Sequence, residues 1–141
     1  MTPDVLARIH AASFTTPRPW SEHELLAFTT DSSCDLIARD GGFAVIRTVV
    51  GETELLTLAV TPDQRRKGLG RMILSLALDC ARIRGAEQFF LEVAADNTAA
   101  IALYQRAGFT RSGLRPRYYR SPDGHRIDAL LMVLPLRASN D

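Results

Sequence analysis

Residues 55–93 read LLTLAVTPDQRRKGLGRMILSLALDCARIRGAEQFFLEV. The short apolar run 55–60, closed by Pro62, predicts a strand. Residues 68–84 are apolar over most of their surface, interrupted only by Arg71, Ser75, Asp79 and Arg82 on one narrow stripe. That pattern predicts a long helix packed broadly against a sheet, with Gly85 as its stop. Residues 88–93 form a second strand, with Phe89, Leu91 and Val93 facing one way and Phe90 and Glu92 the other. Strand, helix, strand in this order is a βαβ unit, so the two strands are expected to run parallel with a right-handed crossover.

Upstream, Thr2 as N-cap, Pro3 at N1 and Val5, Leu6, Ile9 and Ala12 at helical spacing predict a first helix, broken by Pro17 and Pro19. Ser21 opens a second helix with Glu24 completing a capping box, and Leu25, Leu26 and Phe28 supply apolar contacts. Strands are expected at 36–38 and 43–50, on either side of a turn at 39–42. A second turn at 49–52 leads into the strand at 55–60. Downstream, a helix capped near Asn97 runs through Ile101, Leu103 and Tyr104 to a stop at Gly108. Two closing strands follow near 109–114 and 127–134, with the polar loop 121–125 between them. The class is mixed α/β, and 141 residues without a linker or repeat point to one domain over 1–141.

Composition narrows the partners. A net charge of +1 supplies no global field toward nucleic acid or an anionic membrane. Cys34 and Cys80 show neither metal spacing nor a secreted disulfide framework, and His10, His23 and His125 form no ligand pair, so no metal is expected. The start of the chain lacks the pattern of a secretory leader, and no stretch approaches 18 apolar residues. The expected setting is the reducing cytoplasm.

Gln64-Arg65-Arg66-Lys67-Gly68-Leu69-Gly70-Arg71 joins the first strand to the long helix. Cations normally avoid helix N-termini, where the macrodipole is already positive. Three basic residues ahead of this helix and one in its first turn are unfavourable unless an anion is expected there. Gly68 and Gly70 would let backbone N–H groups approach a phosphate. A solvated basic loop with turn glycines has the same composition, so the loop alone leaves both readings open. It is not a P-loop, because Lys67 precedes the glycine and no Gly-Lys-Ser/Thr ending follows. It is not a dinucleotide fingerprint, because only two of the three glycines are present.

The block Leu91-Glu92-Val93, Asn97, Ala100-Ile101-Ala102-Leu103-Tyr104 and Gly108-Phe109 resembles the GCN5-related N-acetyltransferase superfamily. Arg65-Arg66-Lys67-Gly68-Leu69-Gly70, at matching spacing, resembles that family's coenzyme A loop. Within the superfamily the chain is most similar to the bacterial ribosomal-protein-alanine N-acetyltransferases. The similarity rests on Pro19-Trp20-Ser21-Glu22, Leu56-Thr57-Leu58-Ala59-Val60-Thr61-Pro62, Arg117-Tyr118-Tyr119, Asp123-Gly124 and Asp128-Ala129. It covers nearly the whole chain and departs at the start, where the family's usual first strand has almost no room before Pro3. An edge strand is therefore expected to be missing.

The resemblance implies a mostly antiparallel mixed sheet, flanked by helices, with a central parallel pair that splays apart to hold acetyl-CoA as co-substrate. Leu58, Ala59 and Val60 would pair with the pantetheine arm. Arg65, Arg66, Lys67, Gly68, Leu69, Gly70 and Arg71 would hold the pyrophosphate, and Asn97 would contact the arm from across the cleft. Asn97 is equally read as a plain helix N-cap. Tyr104 matches the family's general acid beside the sulfur, although an aromatic at this spacing also suits a helix's buried face. Glu92 matches its general base, although a solvated strand-end carboxylate has the same phase. Trp20, Arg117, Tyr118 and Tyr119 would line the acceptor groove, and ordinary strand-edge packing would also explain the last three.

Energetics favour an α-amine as acceptor. With a pKa of about 7.8 it costs roughly 1 kcal/mol to deprotonate at pH 7, against roughly 4–5 kcal/mol for a lysine ammonium. An unperturbed glutamate suffices for the first and is poorly matched to the second. The expected partner is a protein N-terminus, that of a ribosomal protein by the resemblance, with the enzyme a monomer or weak dimer. The alternatives are the same chemistry on a small-molecule amine, or a non-catalytic acyl-CoA-binding module. Loss of Glu92, Tyr104 or the loop glycines would have favoured the module. A nucleic-acid role would rest on the basic loop alone, without interleaved aromatics.

Overall fold

The computed structural model describes residues 2–13, 21–65 and 67–136. Pro17, Pro19, Trp20 and Arg66 lie outside the described residues. The chain runs α1 (Pro3–Ser13), α2 (Glu22–Thr29), β1 (Cys34–Arg39), β2 (Gly42–Val49) and β3 (Glu52–Val60), then a single 3-10 turn at Pro62–Gln64. It continues through α3 (Leu69–Ile83), β4 (Gln88–Ala94), α4 (Thr98–Arg106), β5 (Thr110–Arg120) and β6 (Arg126–Pro135). One six-stranded sheet has the order β1-β2-β3-β4-β6-β5. Its neighbours are antiparallel except β3 and β4, which are parallel, as the βαβ reading requires. Among the described residues no strand precedes α1, and β1 forms one edge of the sheet.

β2 is buried on both sides, and its alternation sorts the core into two clusters. Ala44 and Ile46 join Ile73, Leu74, Ala77 and Ala81 of α3, together with Phe89, Leu91, Tyr104 and Phe109. Phe43 and Val45 join Leu6 and Ile9 of α1 and Leu25 of α2. The Phe109 ring stands edge-on to Phe89 at 5.7 Å and to Tyr104 at 5.8 Å, so α4 is locked to β4 by aromatic packing. The capping box of α2 is present, with Ser21 Oγ accepting from Glu24 N and the Glu24 carboxylate from Ser21 N. The far end of α3 is tied to β1 by Arg84, whose guanidinium meets Asp35 at 2.6 and 3.1 Å and donates to the Ser32 carbonyl at 2.9 Å.

Two expectations need correction. The outer face of α3 is wider than the four polar residues implied, because Met72 and Ile83 are also exposed, at 51% and 86%. A helix laid on a sheet buries one side only, and both residues fall in the outward i, i+3, i+4 set with Ser75, Asp79 and Arg82. The first closing strand does not end near residue 114 but continues to Arg120. It runs through Pro116. On an edge strand, and at a register shift between Arg115 and Tyr119, proline's missing N–H breaks no ladder bond.

The β2–β3 hairpin closes through Val50 and Gly51, between the paired residues Val49 and Glu52. Both turn residues have positive φ, 49° and 78°. For a β-branched residue the left-handed region costs roughly 1–2 kcal/mol, and asparagine tolerates it far better. The Val50 side chain is 94% exposed and gains nothing in return. Val50→Asn is expected to raise unfolding stability by about 0.5–1 kcal/mol, read from the denaturant midpoint at unchanged slope.

Candidate active site

Parallel pairing between β3 and β4 covers only four positions, from Glu52 opposite Gln88 to Leu55 opposite Leu91. It stops where β3 is irregular against its other neighbour. Ile46 faces Leu55 and Val45 faces Thr57, so Leu56 is an unpaired bulge residue. A bulge bends its strand and steepens the local twist. Beyond it β3 follows β2 as far as Val60, while β4 stays with β6 as far as Ala94. The sheet forks, and the β3 edge from 56 to 60 is left without β4 as partner.

The fork holds a crevice of about 100 Å³ lined by Leu55, Leu56, Thr57 and Leu58 on one wall and Glu92, Val93, Ala94, Asn97, Ala100, Tyr104 and Tyr119 on the other. Glu92, Asn97, Tyr104, Tyr119 and Leu58, which the sequence reading named separately, thus meet in one place. Tyr104 is 6% exposed. Burial, and secondarily the neighbouring Tyr119, hold its phenol proton well above the ordinary tyrosine range. Tyr119 is pushed up to about 12 by burial, and next by the Glu92 carboxylate and Tyr118, with Arg115 opposing. Asn97 is the N-cap of α4, its side-chain oxygen accepting from Ala100 N at 3.1 Å, so it caps and lines the crevice at once.

At the mouth of the fork, Gly68 is the N-cap of α3 with φ 83°, and no side chain caps this helix. The described caps of α2 and α4 are side chains, Ser21 and Asn97. The first turn of α3 holds no acidic residue, and Lys67, Gly68 and Arg71 are exposed around it, with Leu69 half-buried. Gly70 sits between β3 and α4: a Cβ there would meet Leu103 Cδ2 at 3.5 Å and Val60 Cγ2 at 3.7 Å, ordinary contacts. Arg65 is exposed, and its Nε donates to the Val60 carbonyl at 3.2 Å. Ala59 and Val60 carry the β3 edge onward from the crevice, with the Ala59 side chain turned into the cluster beneath α1 and α2. The anion-binding potential of this end rests on unopposed N–H groups, the dipole and the cations together.

The acceptor side was only half legible. Arg117 is exposed at φ 54° and does not line the crevice, and Tyr118 is 50% exposed outside it. Sequence reasoning missed Arg115, whose Nη2 lies 3.2 Å from Glu92 Oε1 and whose guanidinium stands 5.2 Å from the Tyr118 ring centre. Tyr118 in turn packs edge-on to Tyr119 at 5.1 Å. Ending the strand before Pro116 had hidden this row. Gly113 and Pro116 flanking Arg115 were the available sign of an irregular strand that re-aims its side chains. Glu92 is also the wall shared with a second, open cavity of about 370 Å³, lined by Phe90, Leu131, Ser112 and Arg115 among others.

Comparison with known proteins agrees with this geometry. The family model described as the Acetyltransferase (GNAT) family matches residues 4–109. The ribosomal protein bS18 alanine N-acetyltransferase of Escherichia coli is 37% identical over 139 residues, covering 96% of this chain and 93% of the relative. The Salmonella typhimurium enzyme of the same name is 39% identical over 122 residues, covering 84% and 82%. The crystal structure of the Escherichia coli enzyme superposes with a TM-score of 0.85 at 34% identity, covering 97% of this chain and 89% of that one. The two proteins thus share an overall fold, and the chain belongs to the GNAT acetyltransferase family.

Proposed function

We propose that the chain transfers the acetyl group of acetyl-CoA to the N-terminal α-amine of a protein, the acceptor being an N-terminal alanine of a ribosomal protein. The observation that carries this reading is the crevice at the fork, where Glu92, Asn97, Tyr104 and Tyr119 meet the stretch of β3 that has parted from β4. The identity of the acceptor comes from the full-length similarity to enzymes named for alanine acetylation of ribosomal protein bS18. With a ribosomal acceptor, the proposed setting of the activity is the cytoplasm. No helix among the described residues is long and apolar enough to cross a membrane.

The β3 edge beyond Leu55, where β4 no longer pairs with it, suits the two amides of pantetheine, which can bond to it as a strand would. The uncapped N-terminus of α3 and its cations suit the pyrophosphate. Glu92 removes a proton from the α-ammonium, the neutral nitrogen attacks the thioester carbonyl, and the C–S bond breaks to release a thiolate that takes up, through solvent, the second proton the nitrogen loses as the amide forms. Tyr104 faces that event as a donor. A thiol has a pKa of about 8.5 and an ordinary phenol about 10, so full transfer of the phenol proton to sulfur is uphill by about 2 kcal/mol before burial adds to it. Tyr104 therefore stabilises the departing sulfur through a hydrogen bond that the buried phenol keeps across the working pH range.

Three outcomes are expected. Gly70→Val should leave the fold intact, because a Cβ there meets only ordinary contacts. It should weaken acetyl-CoA binding by about tenfold or more through crowding of the α3 N–H groups, measured by calorimetry. Unchanged affinity in a folded variant removes this helix end from the site. In the second test, a peptide starting with alanine and containing internal lysines should be acetylated at its α-amine, as located by mass spectrometry. Acetyl groups found mainly on lysine, or turnover only of small amines, would overturn the acceptor assignment.

The third test follows kcat/KM from pH 6 to 9.5. Glu92→Gln should lose roughly 10²–10³-fold near neutrality, and the loss should shrink as pH rises past the amine pKa and solvent supplies the neutral nucleophile. Burial raises the Tyr104 phenol above its ordinary value, so wild type stays protonated there throughout this range. The Tyr104→Phe loss should therefore be flat with pH. Nearly full activity in either variant would reject that residue's role.

A further inference from the structure

The β5–β6 ladder has an irregularity beside the crevice. Arg115 is opposite Ala129 and Tyr119 is opposite Ile127, so Pro116, Arg117 and Tyr118 span the length that Asp128 alone occupies on β6. A regular ladder starting from Arg115 and Ala129 would set Tyr119 opposite His125, in the exposed loop. The two extra residues draw Tyr119 back along the strand by about 7 Å, at about 3.4 Å per residue. That displacement brings Tyr119 into the crevice, next to the point where Arg115, on the near side of the bulge, lies against Glu92.

Such a bulge needs an anchor. Arg117 is a non-glycine residue at φ 54°, and Pro116 has no N–H to give. The Arg117 N–H is taken by Asp128 Oδ1 at 2.8 Å. The main-chain carbonyl of Asp128 accepts from Ala95 N, also at 2.8 Å. Ala95 opens the turn that leads to Asn97 and on to Tyr104 in α4. One residue thus touches both the strand that presents Arg115 and Tyr119 and the turn that presents Asn97 and Tyr104.

We propose that Asp128 is a positioning residue for acetyl transfer: its carboxylate holds the β5 bulge that starts after Arg115 and turns Tyr119 into the crevice, and its carbonyl ties that bulge to the β4–α4 turn. The proposal rests on the reading of the fork as the transfer site. Asp128 acts through its neighbours and is not assigned to the acceptor. An asparagine at this position keeps an oxygen able to accept the Arg117 N–H, whereas an alanine does not, and this difference separates the carboxylate's hydrogen bond from its charge.

The test compares Asp128→Ala, Asp128→Asn and a stability control, Asp35→Asn. The control weakens the Arg84 tie on the opposite edge of the sheet and leaves the crevice alone. All are assayed below their melting transitions with acetyl-CoA and a panel of an alanine-initiated peptide, small amines and lysine ε-amines. Asp128→Ala is expected to lose about 10–100-fold in kcat, the scale of a small misplacement of reacting groups, with acetyl-CoA affinity unchanged. Asp128→Asn is expected to recover most of the rate. In a Tyr119→Phe background Asp128→Ala should cost clearly less than it does alone, since both changes act on one unit. The proposal is overturned by wild-type turnover in Asp128→Ala, by equal loss in Asp128→Asn, or by equal loss in Asp35→Asn. If wild type acetylates another amine in place of the peptide, the acceptor assignment fails, and the variant ratios are read on that amine.

Discussion

A β-strand has two hydrogen-bonding edges, and β3 cannot satisfy both along its whole length. Up to Leu55 it pairs with β2 on one side and β4 on the other. At Leu56 the bulge against β2 turns it away, and from there one edge is surrendered. Along that stretch β4 no longer offers its backbone groups, which leaves room at the fork for another extended group to pair, as proposed for the pantetheine arm. The same bend creates the crevice, and the remaining elements hold the bend in place.

That holding is done from both sides of the sheet. The β1–β2 turn braces the 3-10 segment after β3, with Gly41 O accepting both the N–H and the hydroxyl of Thr61 at 2.9 and 3.2 Å. Gly42 lies so close beneath α3 that a Cβ would stand 2.9 Å from Ile73 and 3.0 Å from the Ala59 carbonyl. The absence of a side chain there lets the start of the long helix sit low against the end of β3. Two arms of the fork are thus clamped independently: β3 by β2 and α3, and β4 by β6 and the Phe89–Phe109–Tyr104 stack.

The electrostatics of the crevice divide in the same way. At the α3 end the helix dipole and the flanking cations add to one another and favour an anion. At the Glu92 end the charges are paired, with Arg115 beside the carboxylate and two tyrosines whose protons burial retains. Under the proposed reading an amine arriving there would meet a carboxylate held by a guanidinium, and the anionic and cationic substrate groups would be sorted to different parts of the fork.

The order of elements, the parallel βαβ pair, the caps at Ser21 and Asn97 and the stops at Gly85 and Gly108 were all legible in the chain. Each depends on local preference or on the 2- and 3.6-residue periods, which any short stretch carries by itself. Glu92 and Tyr104 were singled out through the resemblance to a family motif, and the structure brings both to one crevice. Arg115, the bulge at Arg117 and the task of Asp128 were not. They arise from a register shift between two strands, which is a relation between distant residues and leaves no periodic trace in either one. The reach of β5 past Pro116 was hidden for the same reason, because a proline is tolerated or excluded according to whether its strand lies at the edge of the sheet. The sequence by itself determined which elements form and which residues could do chemistry. Only the tertiary structure decided where β3 and β4 part and which side chains face the gap, because pairing on one edge of a strand sets what is left exposed on the other.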